Sequence, residues 1–358
     1  VKKIGIIGIF ALIVVFLVSC GENEDVSEEK SSSGTVIERY EQSGAECKTV
    51  DNVIERGDCF QEVNDKYLRW YMDQSKREFY FPFQIDQEHW KDILYYSLDS
   101  QSDETELKET EHFTEYADPY SSNPQRGENE LEEYWYVFSN IFPKEYRESL
   151  AKFYWTDTGE DFVFGVGRDE ENLEDTVLMI SHNIGDYYPA TKSTLIHEFA
   201  HILTVNEEQV QVMEEAYFLT DTKIWEDAEE ICDVPYVYGW GCVEESSYIY
   251  SYYQEFWEDI DKEFRQINWE TEDDYKEFFL KYEDRFFNSY QGTYPEEDLA
   301  ESFTFFVMMN SSEIHSEENS EMKYDKVDFF YQYDELVELR TMILENIYDL
   351  SVKDGKFY

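Results

Sequence analysis

The stretch "TLIHEFAHIL", Thr194 to Leu203, sets two histidines four positions apart in an otherwise apolar run, with a glutamate directly after the first. On an α-helix, residues i and i+4 stand one above the other on the same face. His197 and His201 therefore direct two imidazoles at one point. Glu198 lies about 100° further round the helix, where it reaches a water at that point without competing as a ligand. Leu195, Ile196, Phe199, Ala200, Ile202 and Leu203 fill the rest of the segment, so the helix belongs in a core. Two buried imidazoles and a carboxylate each need a partner, at about 1–3 kcal/mol for each one left unsatisfied. An ordinary core helix must find those partners separately, whereas one bound cation supplies them together.

A catalytic zinc site takes three protein ligands and keeps one open position. The remaining histidines are His89, His112, His182 and His315. None follows the motif in H-x-x-G-x-x-H spacing, so the third ligand is a carboxylate. "YPEEDLAESFTFFV", Tyr294 to Val307, carries Glu297 and Glu301 four apart among Leu299, Ala300, Phe303, Phe305 and Phe306. A glutamate pair in an acidic chain ordinarily marks a solvated face. These apolar neighbours instead mark a mostly buried helix, where a carboxylate needs a cation or strong donors. One of the pair at the metal and the other supporting it meets that need, and spacing leaves open which is which.

Strands precede the motif and helices follow it. "DFVFGVGR" (161–168) and "TVLMISHNI" (176–184) are short runs rich in β-branched or aromatic residues, and Pro189 suits the first turn of a helix. After Glu207, "SSYIYSYYQEFWEDIDKEF", "DDYKEFFLKYEDRFFNSY" and "YDELVELRTMILENIYDL" have helical periodicity. The pattern predicts an α+β domain over 131–358, with short strands before the active-site helix and a mostly helical C-terminal part. Residues 36–130 form a separate N-terminal region, helix-like around "CFQEVNDKYLRWYMDQ". It ends in an acidic, turn-rich stretch, Asp99 to Glu130, that reads as a long loop or linker.

The formal net charge is −53, from 29 basic and 82 acidic residues. Such a surface repels phosphate backbones, which excludes nucleic acid as a partner. At the N-terminus Lys2 and Lys3 precede an apolar run, Ile4 to Val18, too short for an ordinary membrane span, which ends in "LVSC" at Cys20. This resembles a bacterial lipoprotein signal, in which residues 1–19 are removed and Cys20 is lipidated. Residues 20–35 are acidic and Ser-rich and read as a flexible tether. Four further cysteines in an exported chain imply two disulfides, and the short separations favour Cys47–Cys59 and Cys232–Cys242. A four-cysteine zinc site is the rival, but the spacings hold no C-x₂-C pair.

"IHEFAHILTVNEEQV", with the later "YQGTYPEEDLAESFTFFV", resembles the secreted and lipoprotein-type bacterial zinc metallopeptidases of the gluzincin kind. The intervening "CDVPYVYGWGCVEESSYIYSYYQEFW" is similar to the segment such proteins carry between the two motifs. The likeness runs from about Leu150 to Leu344. The second part also looks like the ligand helix of anthrax-lethal-factor-type peptidases. That resemblance implies Glu297 as third zinc ligand, Glu301 as the supporting glutamate and Tyr290 as a residue facing the site. The His201–Glu297 separation, 96 positions, is longer than in thermolysin-like enzymes.

The implied protein is a lipid-anchored, extracytoplasmic zinc metalloendopeptidase holding one Zn²⁺ and acting on a peptide or protein. Glu198 would be its general base and Tyr290 an oxyanion donor. In zincins an edge strand takes the extended substrate, a role open here to either predicted strand. Two alternatives share the sequence features: a non-proteolytic surface lipoprotein that binds a partner or cations, and a metal-dependent amidase acting on cell-wall peptides.

Overall fold

The computed structural model describes residues 33–68, 91–98, 109–112, 124–157, 164–169, 171–181, 191–212, 232, 236–237, 240–269 and 271–355. Cys20 and its leader, all but the end of the tether, Pro189, His89 and His182 lie outside the described residues. The chain opens with helices α1 (Ser33–Cys47) and α2 (Val53–Leu68), then strands β1 (Lys91–Ser97) and β2 (Glu109–His112) and helix α3 (Pro124–Ile141). Strands β3 (Leu150–Asp157), β4 (Phe164–Asp169) and β5 (Asn172–Ser181) lead into α4 (Thr191–Thr204), which carries both motif histidines. Short strands β6 (Val210–Gln211), β7 (Tyr236–Val237) and β8 (Gly241–Val243) form a second small sheet. The remainder is helical: α5 (Tyr248–Phe256), α6 (Asp261–Phe264), α7 (Glu272–Lys281), α8 (Pro295–Met308), α9 (Ser311–Ile314), α10 (Met322–Asp328) and α11 (Asp334–Asp354). This is an α+β architecture with a short mixed sheet before α4 and a mostly helical C-terminal region.

The main sheet has the order β2-β1-β3-β5-β4, with β3 and β5 parallel and the other pairs antiparallel. Val177, Leu178, Met179 and Ile180 of β5 are buried in succession, as befits an interior strand covered on both faces. Of the two strands predicted from sequence, β4 lies at the sheet edge and β5 inside. Two expectations need correction. The sheet reaches back into the N-terminal region through β1, and the stretch 99–130 contains β2 and the start of α3. The backbone ladder Leu94–Ser97 against Glu109–His112 builds β2, and polar "ETEH" carries no hydrophobic alternation to betray it.

α8 holds the downstream glutamates, and every residue from Glu296 to Met308 is buried. Both of its ends are tied down. In the first turn, Asp298 accepts a hydrogen bond from Trp257 Nε1 at 2.8 Å and is ion-paired with Lys326 of α10, both partners being fully buried. At the other end, Arg340 of α11 donates to the carbonyls of Phe306 (2.6 Å) and Met309 (2.7 Å), and Gln61 of α2 donates to Met308 O at 2.9 Å. Those carbonyls belong to the helix terminus that has no partner of its own. Phe199 of α4 stacks on Phe142 at 4.3 Å and meets Phe303 of α8 at 6.4 Å, fixing the two site helices against each other. At the far end, Tyr348 of α11 packs on Tyr40 and Phe60, so α1 and α2 share the same core. A disulfide joins Cys47 at the end of α1 to Cys59 in α2, and another joins Cys232 to Cys242 in β8.

Candidate metal centre

Between Leu195 and Leu203, α4 is apolar apart from His197, Glu198 and His201, which suits a helix enclosed by a core, and every residue from Ser193 to Val205 is buried. Its histidine face meets the first turn of α8. His197 Nε2 stands 3.0 Å from Glu297 Oε2, His201 Nε2 stands 3.1 Å from Glu297 Oε1, and the two Nε2 atoms are 3.0 Å apart. Relative exposures are 0 % for His197, 4 % for His201 and 0 % for Glu297. Among the described residues these three form the cluster of potential ligand atoms close enough to hold an ion.

The other predicted site residues gather round this cluster. Glu301, one turn along α8, places Oε1 3.2 Å from His197 Nδ1, the nitrogen that faces away from Glu297. Tyr290, in the turn before α8, brings its buried ring to 5.7 Å from the His197 ring. Glu198 is fully buried, and neither carboxylate oxygen makes a well-formed hydrogen bond. The backbone of Val166 in β4 lies within reach of its carboxylate, which places it beside the sheet edge. His315, by contrast, is exposed and paired with Asp328 at 2.6 Å, away from the cluster. His112 lies on β2.

The electrostatics show what the cluster lacks. Burial alone pushes the His197 imidazole down, but the Glu297 and Glu301 carboxylates facing its two nitrogens outweigh it and carry its pKa up to about 10. Burial likewise works to raise the Glu297 carboxyl, yet His201 and His197 hold it well below the usual carboxylate range. His201 is pushed down, by burial first. Glu198 is pushed up to about 8, again by burial first, with Glu297 and Glu301 adding to it and His197 opposing. A proton on His197 thus serves as the counter-cation, and it serves incompletely. Glu297 Oε1 and both Glu198 oxygens remain without a proper hydrogen bond.

A divalent cation fits the gap. Ligand atoms about 2.0–2.1 Å from a tetrahedral ion are about 3.3 Å from one another. The two Nε2 atoms are 3.0 Å apart, each faces a different Glu297 oxygen at 3.0–3.1 Å, and one ligand atom from each residue lies within 4.8 Å of the others. Two imidazoles and a carboxylate are also a donor set of catalytic metal sites that keep a fourth position open. The triad is thus a buried, geometrically plausible set of metal ligands, and it supports a catalytic, enzyme-like site.

Sequence reasoning missed the network behind the ligands. Asn288 Nδ2 donates to Glu301 Oε2 at 2.9 Å, and the Asn288 carbonyl accepts from Gln291 N at 3.0 Å. Gln291 Nε2 donates to Ser302 Oγ at 3.2 Å, and that hydroxyl meets Tyr252 OH at 2.9 Å. It missed, too, that Glu296 and Asp298 are buried beside Glu297, where the positive end of the helix dipole favours acidic groups. Burial pushes the Glu296 carboxyl well above its ordinary value. No spacing rule flags Asn288, because its partners come from α8 and from its own turn. The chain matches no protein-family model, no curated protein and no solved structure.

Proposed function

We propose that the chain is a zinc metalloendopeptidase, exported and held at a bacterial membrane by a lipid on Cys20. One observation carries the reading: a buried His197/His201/Glu297 cluster with a buried, poorly partnered Glu198 directly beside it. Among the described residues no helix is long and apolar enough to cross a membrane; the anchor in this reading is the lipid on Cys20. In this reading the metallopeptidase unit is built on residues 131–358, with β1 and β2 joining its sheet from the N-terminal region.

His197, His201 and Glu297 would hold the ion, with Glu301 behind His197. Bound Zn²⁺ lowers the pKa of a water towards 7 and polarises a scissile carbonyl. With a dication beside it favouring its charged form, Glu198 would accept the proton of the attacking water and return it to the leaving amine. Tyr290 donates to the oxygen of the carbonyl under attack, where charge develops in the transition state.

The test is metal content of the purified full chain and of its His201→Ala, Glu297→Ala and Glu301→Ala variants, followed by a peptide-cleavage screen. The proposal expects about one zinc per chain, lost in His201→Ala and Glu297→Ala and largely kept in Glu301→Ala. It also expects cleavage that Glu198→Gln lowers by about 10²–10⁴-fold. A folded native protein without tightly bound metal would overturn the enzyme reading. Zinc without cleavage of any peptide, cell-wall peptides included, would favour a binding lipoprotein.

A further inference from the structure

We infer that Asn288 is a positioning residue for the metal centre, fixing Glu301 behind His197 and the Tyr290 turn in front of it with a single side chain. The inference rests on the metal reading above and goes beyond it, because Asn288 touches neither ligand nor ion.

Asn288 is buried, 6 % exposed, in the segment between α7 and α8. Its amide is used at both ends. Nδ2 donates to Glu301 Oε2 at 2.9 Å, and Oδ1 accepts from the backbone N–H of Gln291 at 3.0 Å. The orientation of the amide is forced, since an ionised carboxylate only accepts and a backbone N–H only donates. Reversing it would set donor against donor and acceptor against acceptor. The second bond closes the turn that contains Tyr290. The same turn is locked by Thr293, whose N–H and Oγ1 both donate to Tyr290 O, at 3.0 and 2.7 Å. Gln291 extends the tie to Ser302 on α8.

Glu301 is thus held by Asn288 on one oxygen and turns the other to His197 Nδ1, 3.2 Å away, within ion-pair distance but short of hydrogen-bond alignment. A ligating histidine that gives its second nitrogen to a carboxylate has its ring orientation and tautomer set by that carboxylate. Here the carboxylate is in turn set by Asn288. Aspartate at 288 would still close the turn but would place carboxylate against carboxylate. Glutamine at 301 would place amide N–H against amide N–H, or flip and meet the N–H of His197 instead. Together, Asn288→Asp and Glu301→Gln restore the whole chain of bonds with the polarity reversed. The introduced glutamine offers its oxygen to His197 and its N–H to the introduced aspartate, which still accepts from Gln291.

The experiment measures zinc affinity by chelator competition for the native full chain, Asn288→Asp, Glu301→Gln and the double variant. The unfolding midpoint of each metal-free protein is recorded alongside. Each single substitution should weaken zinc binding by about 10–100-fold, and the double variant should return to within a few-fold of native. A merely structural role would lower the midpoints and leave the affinities of the folded variants alone. Native affinity in both singles, or a double variant no better than the weaker single, overturns the inference while leaving the metal reading intact. Should the singles fail to fold, the double variant alone decides. A native protein that binds no zinc overturns both.

Discussion

Replacing Glu198 with Gln should stabilise the metal-free protein at neutral and alkaline pH. The carboxyl is fully buried, its oxygens lack a well-formed hydrogen bond, and burial pushes its pKa from 4.5 up to about 8. Between those values the native protein keeps a proton that the unfolded chain has released. Stability therefore falls as pH rises through that window, with a slope of at most about 1.4 kcal/mol per pH unit. Across the window the ceiling is about 5 kcal/mol, and water entry on ionisation brings the expected effect to a few kcal/mol. Glutamine fills the same volume and has no such penalty. The assay is urea unfolding in the presence of a chelator from pH 5 to 9, for the native protein and Glu198→Gln. Their stability difference should be smallest near pH 5 and grow in favour of the variant to a plateau above pH 8. His197, raised to about 10, contributes stability that is full below about 6.5 and lost as pH rises to its folded value. That loss occurs in both proteins and largely cancels from the difference. Saturating zinc should flatten the native curve, because a dication beside Glu198 favours its charged form. Parallel curves without metal would refute the reasoning, since Glu198 would then be solvated or firmly paired.

Tyr290→Phe should keep zinc and lower kcat by about 10²–10³-fold with little change in KM. An unchanged kcat would remove Tyr290 from the chemistry. Lys326→Met leaves the Asp298 carboxylate buried with Trp257 as its remaining strong donor, and breaking a buried pair in this way costs about 3–5 kcal/mol. Chemical unfolding should show that loss, and a change below about 1 kcal/mol would mean that the pair is hydrated in solution.

The motif helix was legible because its chemistry depends on local spacing. Four residues on an α-helix align His197 with His201 whatever the surrounding fold, and the apolar residues between them require burial. The short cysteine separations, 12 and 10 positions, point to the same Cys47–Cys59 and Cys232–Cys242 pairs that the structure closes. The α+β class followed from the change of periodicity around 190. The share of the sheet contributed by residues 91–112 did not, because edge pairing is a backbone property and "ETEH" has no apolar rhythm.

The sequence by itself determined that two imidazoles and a carboxylate would share a buried helix, and that a second buried helix would carry two more carboxylates. Both statements follow from periodicity, which acts over a few residues. Only the tertiary structure decided which carboxylate meets the histidines. Glu297 and Glu301 lie on one face of α8, and the choice depends on how far along its axis that helix is docked against α4. That offset is set by contacts distant in sequence: Phe199 against Phe303, Asp298 against Lys326, and Arg340 on the last carbonyls of α8. Asn288 belongs to the same class. Its importance arises from a bond to a residue on another element, and nothing in the local chain announces it.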